Sequence, residues 1–314
     1  MGRVKLLKKI GHLLQAVPDW VKVSVLFSLT FVTTTASGSL QRGSYPFDSW
    51  ADFSQGLLFS GPLLFILMSH EMGHYLMCRR HGVAVTPPFF IPLPPYFFIG
   101  TLGAFIRIKQ VIPNRKVLVE IAAAGPLAGM VAALPMFVVG ILTSPLSNID
   151  PQATNIIYEG KPLLTKIIMS LLYSSAGQDM DISLNAVAFA GWLGFLVTLL
   201  NLLPVGQLDG GHIVYALFQK HHYKVAQIAT VMITCLALFW PGWIIWAIII
   251  TKLIGFKHPP TFFDHQTLSR FHWGLGISCI FLFMLLFMPV PVSVPEWDQN
   301  LQILWSTISR YILP

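Results

Sequence analysis

His70-Glu71-Met72-Gly73-His74 places two imidazoles four residues apart with a carboxylate between them. On a helix, positions i and i+4 share one face, so both rings can reach a single metal ion. The glutamate then stands where it can take a proton from water on that metal. The motif follows a long apolar run from Gly56 to Ser69. A run of this kind reads as a membrane span, and there a glutamate and two histidines are costly unless paired or coordinated. The pentad is therefore a candidate functional site, against the plainer reading of two buried histidines satisfied by neighbouring backbone.

A catalytic zinc typically takes three protein ligands and keeps one position for water. Of the 13 acidic residues, only Glu71, Glu120 and Asp209 lie within or at the edge of apolar segments. Glu120 stands beside Arg115 and Lys116, and a surface ion pair accounts for it. Asp209 lies between Leu208 and Gly210-Gly211, where glycine lets the backbone turn and approach closely. Asp209 is the better third ligand, although it also suits the N-cap of a helix over Gly210–Lys220, and it could serve both ends. His212, three residues on, is a candidate ligand, a hydrogen-bond partner of a ligand, or a donor to the transition state. The remaining histidines, His12, His81, His221, His222, His258, His265 and His272, fall in loops or at span edges and are expected to be solvated.

The elements that must hold these groups are membrane elements. The 314 residues are 54% hydrophobic and 11% charged, against about 25% charged in soluble domains. The expected fold is an all-α polytopic membrane protein of about six or seven transmembrane helices. A small membrane-associated strand or hairpin is expected after the His70–His74 helix. Spans are expected over about Val21–Gly38, Gly56–Met77, Val117–Leu142, Ser183–Leu203 and 271–291, with two shorter apolar segments, 225–240 and 242–256, parted by Pro241-Gly242. The start, with Arg3, Lys5, Lys8 and Lys9, is basic and amphipathic, and the first span reads as an uncleaved anchor. Three regions follow: 1–55 with the first span, 56–220 as a catalytic membrane core, and 221–314 with the last helices and tail. Cys78, Cys235 and Cys279 are too scattered for a disulfide framework and read as small apolar core residues.

Between the second and third spans lies Pro87-Pro88-Phe89-Phe90-Ile91-Pro92-Leu93-Pro94-Pro95-Tyr96. Proline at this density forbids a regular helix. Gly100 to Lys109 ends in clean alternation, the mark of a strand. Its edge could receive an extended substrate as a further strand, or it could belong to an ordinary connecting hairpin. Gly125-Pro126-Leu127-Ala128-Gly129 has the spacing that permits close helix contact, a common packing device in membranes.

The formal charge of +7 is a topology signal and not a nucleic-acid footprint. With the N-terminus in the cytoplasm and seven spans, sixteen of the 20 basic residues fall in or next to cytoplasmic segments, as the positive-inside rule requires. His70, His74 and Asp209 then all lie toward cytoplasmic span ends. The expected location is a multi-pass integral membrane protein, in a bacterial cell inner membrane, with lipid and no nucleic acid as partners.

Taken together, the pentad in a span, the Gly100–Lys109 strand with its Gly100-Thr101-Leu102-Gly103-Ala104-Phe105 motif and Asn201-Leu202-Leu203-Pro204-Val205-Gly206-Gln207-Leu208-Asp209-Gly210 resemble the site-2 protease family of intramembrane zinc metalloproteases. The resemblance covers roughly residues 56–220 and is closest to compact bacterial and plastid members, with neither a PDZ domain in the 144–182 loop nor a C-terminal CBS pair expected. It implies Zn²⁺ held by His70, His74 and Asp209, Glu71 as general base, and cleavage of membrane-spanning protein substrates. Within that mechanism Asn201 or His212 would stabilise the oxyanion or align the substrate backbone. The rival readings are a membrane-anchored zinc peptidase acting on soluble peptides, a zinc-binding transporter and a non-proteolytic membrane scaffold.

Overall fold

The computed structural model describes residues 17–96, 99–148, 158–173 and 180–293. The basic start with Arg3, Lys5, Lys8 and Lys9 lies outside the described residues. The described elements are mostly helical: α1 (Asp19–Gln41), α2 (Trp50–Gln55), α3 (Leu57–Arg80), α4 (Arg115–Leu142), α5 (Leu163–Leu172), α6 (Ala186–Asn201), α7 (Asp209–Phe218), α8 (His222–Leu236), α9 (Gly242–Ile249) and α10 (Arg270–Leu286). Two of them, α1 and α4, are long and apolar enough to cross a membrane. The helices α5, α6 and α10 are shorter apolar segments, and α9 with its π-helical continuation to Ile254 forms another. The two segments expected on either side of Pro241-Gly242 are thus separate helices, α8 and α9.

The chain divides into two compact units. The first holds the described residues of Met1–Thr143, Leu184–Val197 and Pro260–Leu275; the second holds those of Ser144–Ser183, Thr198–Pro259 and Gly276–Pro314.

In the first unit, α4 starts where the Asn114 side chain accepts from the Val117 N–H at 3.0 Å, satisfying one of the orphan amides of a helix start. It carries Pro126 and Pro135 inside its length, a feature tolerated in membrane helices. One face is buried through Leu118, Ala122, Ala133 and Phe137, whereas Val131, Leu134, Val139 and Leu142 point outward. An apolar outer face beside an apolar inner one suits lipid and not water. α3 stops at His81, where Gly82 takes the left-handed conformation (φ +65°) and the Val83 N–H returns to the Cys78 carbonyl at 2.8 Å.

The expected hairpin is present. β1 (Phe89–Pro92) pairs antiparallel with β2 (Thr101–Phe105), Phe89 opposite Phe105 and Phe90 opposite Ala104. A bulge falls between Phe90 and Pro92, where proline has no N–H to give the ladder. The regular strand ends at Phe105, short of Lys109; beyond it only a bridge between Val85 and Ile108 continues the pairing. Polar side chains of α1 hold this hairpin. Thr33 Oγ1 donates to the Gly100 carbonyl at 2.7 Å and Ser37 Oγ to the Pro95 carbonyl at 3.0 Å. Gly100 is left-handed (φ +75°), and a Cβ there would meet Ser37 Oγ at 2.6 Å.

Glu120 does not pair with Arg115 or Lys116. It accepts from His81 Nε2 at 2.8 Å and from His272 Nε2 at 2.9 Å, while Arg115 donates to the carbonyls of Asp264 (3.0 Å) and Gln266 (2.7 Å). Five residues along a helix put Arg115 about 140° round from Glu120, so the carboxylate is met by residues from other segments. His81 and His272, expected to be solvated, are thus bonded to Glu120 and only partly exposed. Among the cysteines, Cys78 and Cys279 are buried as expected, but Cys235 is exposed.

In the second unit, α8, α9 and the π-helical turn after it pack through Ala226, Ile233, Trp243 and Ile250 against Leu203 and Val205. Trp243 is fully buried, with its indole N–H donating to the Pro289 carbonyl at 2.7 Å. The 144–182 segment, expected as a loop, carries α5. It also carries β3 (Leu146–Asn148) paired with β5 (Met180–Ile182), and β4 (Tyr158–Glu159) paired with β6 (Val292–Ser293).

Close helix contact in the first unit rests on missing side chains. A Cβ on Gly191 would lie 2.6 Å from the Phe137 backbone nitrogen. Gly191→Leu is expected to cost at least ~3 kcal/mol, the upper end for overpacking, read as a lowered thermal midpoint in detergent. Gly61→Leu, whose Cβ meets nothing within 4 Å, should leave the midpoint unchanged or slightly raised.

Candidate metal centre

α3 brings His70, Glu71 and His74 together as the pentad spacing requires, and all three are buried (3%, 7% and 6% exposed). The Nε2 atoms of His70 and His74 lie 3.3 Å apart. Two nitrogens each about 2.05 Å from a tetrahedral zinc stand about 3.3 Å from each other. The pair therefore fits a zinc ion between its Nε2 atoms without rearrangement.

The fit extends to the tautomer. His74 Nδ1 lies 2.7 Å from the Ile121 carbonyl. A carbonyl only accepts, so Nδ1 carries the proton and Nε2 keeps the lone pair that a metal needs.

What makes room for two rings inside a helix pair is the glycine spacing on α4. A Cβ on Gly125 would fall inside the His74 imidazole, and one on Gly129 would sit 3.0 Å from His70 Nδ1. On the other side, a Cβ on Gly73 would strike the Ala124 carbonyl. The Gly125–Gly129 spacing, legible in the sequence only as a packing device, is the cradle of the two imidazoles.

The second unit contains Asn201, Asp209 and His212. Asn201 ends α6. The chain then turns through Pro204 and Gly206, the latter left-handed at φ +55°, and α7 begins at Asp209 with Leu208 in the N-cap position. Asp209 is thus the first helical residue and not the cap. A carboxylate in the first helical turn is favoured by the positive end of the helix dipole. The Gly210-Gly211 pair is a steric requirement: a Cβ on Gly210 would strike the Leu202 carbonyl, and one on Gly211 would lie 2.5 Å from the Gly206 carbonyl. Asp209 and His212, three residues apart, share a face of α7.

His212 has a partner that the sequence did not point to. Its Nδ1 lies 2.5 Å from His258 Nε2, and Tyr215 stacks on the His258 ring with centroids 4.2 Å apart and planes at 15°. The His258 backbone N–H donates to His222 Nε2 at 3.3 Å. His258 is 9% exposed. His222 and His258, expected to be solvated, instead form a packed aromatic group. His258 stands 46 residues from His212, and no local spacing marks such a partner.

Residues 58–240 match the family model described as Peptidase family M50. The chain belongs to that family. Among curated proteins it is similar to the Arabidopsis thaliana protein described as "Probable zinc metalloprotease EGY2, chloroplastic", 29% identical over 284 residues, covering 88% of this chain and 50% of the relative. It is also similar to the Arabidopsis protein described as "Probable zinc metalloprotease EGY1, chloroplastic", 30% identical over 242 residues, covering 76% of this chain and 42% of the relative. The counterpart described as EGY1 in Oryza sativa subsp. japonica is 35% identical over 161 residues, 50% of this chain and 27% of its own length. The chain spans half the length, or less, of these relatives. The matched segment runs from the start of α3 to just before α9 and so contains both glycine-framed groups. Zinc is the metal that this family and the imidazole geometry imply.

If the glycine cradle sets the imidazoles, Gly125→Ala should lower zinc affinity about 10- to 100-fold, the usual cost of disturbing a ligand's support. Gly129→Ala should cost less. Zinc content of the purified proteins after dialysis against graded chelator reads the difference.

Proposed function

We propose that this protein is an intramembrane zinc metalloprotease that hydrolyses peptide bonds of membrane-spanning protein substrates. The observation that carries the reading is the His70–His74 pair. Two buried Nε2 atoms lie at zinc-ligand separation, with one ring's tautomer set by a backbone carbonyl, in a chain of family M50.

In this reading His70, His74 and Asp209 hold the metal. Asp209 is supported by its place at the start of α7, by the scarcity of other acidic residues in apolar segments and by the resemblance of its motif. Zinc, when bound, lowers the pKa of a water toward about 7 and polarises a carbonyl. Glu71, one residue from His70 on the same helix, accepts the proton of the attacking water and returns it to the leaving amine. Asn201 or His212 aligns the substrate and meets the charge that develops on the carbonyl oxygen. A helical substrate must unwind first, because its amides are otherwise bonded internally.

We also propose the wider frame. The chain makes six or seven spans with its N-terminus on the cytoplasmic side of a bacterial inner membrane, supported by the distribution of its basic residues and the lipid-suited face of α4. Residues 56–220 act as the catalytic core between an N-terminal anchor and C-terminal helices. The burial of Glu71 within α3 favours this over a peptidase acting on soluble substrates. The pairing of both imidazoles at zinc distance favours it over a scaffold.

Glu71→Gln should retain one zinc yet lose cleavage of a model transmembrane peptide by about 10²- to 10⁴-fold, the span of general acid–base contributions. His70→Ala and Asp209→Ala should lose zinc and activity together. Normal turnover by Glu71→Gln would remove its role as base. Full zinc in Asp209→Ala would remove that residue as a ligand.

A further inference from the structure

The ring nitrogens of His212 and His258 form a pair whose protons can be assigned from the Pro259 carbonyl, with His222 bonded to the His258 backbone beside it. His222 Nδ1 lies 2.6 Å from the Gln219 carbonyl, so Nδ1 carries the proton and Nε2 accepts the His258 backbone N–H. His258 Nδ1 lies 2.6 Å from the Pro259 carbonyl, which again accepts only. A neutral imidazole carries one proton, so His258 Nε2 holds a lone pair. His212 Nδ1, 2.5 Å from that atom, must be the donor. His212 Nε2 is then the lone-pair nitrogen.

The backbone makes this arrangement specific. The π-helical turn after α9 ends at Gly255, left-handed at φ +74°. A Cβ on Gly206 would strike the Gly255 carbonyl. The turn before α7 and the segment leading to His258 are thus packed backbone to backbone, which sets how far His258 can stand from His212. Tyr215, one turn further along α7 from His212, holds the His258 ring flat against its own.

We infer that His258 is a positioning residue that locks His212 in the Nδ1–H tautomer, so that His212 takes part in the proposed proteolysis as a hydrogen-bond acceptor through Nε2. This divides the roles that Asn201 and His212 share above. The neutral ring has no Nε2 proton to give to a developing oxyanion, so that donation falls to the Asn201 amide. His212 instead accepts from an N–H of the substrate backbone, fixing the peptide strand beside the scissile bond. The assignment of a role to His212 rests on the proteolytic reading; the tautomer lock does not.

The test uses zinc-loaded protein in lipid nanodiscs with ¹⁵N-labelled histidine, the His212 signal being assigned by its loss in His212→Gln. Ring-nitrogen shifts distinguish the two tautomers directly. Wild type should show His212 as Nδ1–H. His258→Gln, whose side-chain oxygen can accept the same hydrogen bond, should keep that tautomer. His258→Phe, which keeps a ring against Tyr215 but has no acceptor, should lose it. In a transmembrane-peptide assay His258→Phe should lower kcat about tenfold, within the range for supporting partners, and His258→Gln should recover most of it. A wild-type His212 carrying its proton on Nε2, or a tautomer unchanged in His258→Phe, overturns the lock. Loss of the Nδ1–H tautomer in His258→Phe with kcat unaffected overturns the catalytic use of it. The expected tautomers in a wild type that cleaves no peptide would support the lock and sink the proteolytic reading.

Discussion

Two imidazoles have to fit inside a helix–helix contact, and the first unit is organised around that demand. A buried imidazole needs partners for both nitrogens, because an unsatisfied polar atom in apolar surroundings costs more than a hydrogen bond returns. His74 meets the demand on one side with the Ile121 carbonyl, an atom of a helix backbone that has one lone pair to spare. Reaching a backbone carbonyl with a side chain requires α3 and α4 to approach closely, and Gly73, Gly125 and Gly129 permit it. Helix contact in an apolar solvent comes from close van der Waals packing and hydrogen bonds, since lipid gives no hydrophobic drive. The same glycines therefore serve packing and chemistry at once.

The second unit meets a different constraint with the same residue type. Asp209 begins a helix immediately after a turn that doubles back on it. The Leu202, Val205 and Gly206 carbonyls occupy the space where side chains at positions 210 and 211 would go. Any residue with a Cβ would push the helix start away and move Asp209 and His212 with it. The motif is a backbone shape first and a set of functional side chains second.

Elsewhere several polar residues of this apolar chain are bound into its structure. Thr33 and Ser37 of α1 donate to carbonyls of the proline-rich hairpin, whose irregular backbone has few internal partners. Thr35 Oγ1 meets Ser60 Oγ at 2.8 Å between α1 and α3. Glu120 joins His81 and His272, which lie 39 and 152 residues from it in the chain. Irregular backbone and carboxylates away from water persist only where protein supplies such partners.

The amino-acid sequence by itself determined what is periodic or local. The apolar runs mark α1, α3, α4, α6 and α10; Pro241-Gly242 parts α8 from α9; and proline density with alternation marks the β1–β2 hairpin. The pentad places His70, Glu71 and His74 on one helical face because that geometry spans only one turn. Asp209 stands out because few acidic residues lie in or beside the apolar segments. The tertiary structure decided which distant group each of these meets. It turned the Gly125–Gly129 spacing from a packing signal into the seat of two imidazoles. It gave Glu120 two histidines in place of the neighbouring cations and set His258 against His212. None of these pairings has a sequence period, because each joins segments that become neighbours only when helices pack. A donor's tautomer, likewise, is a property of the atom across from it and not of the residue that carries it.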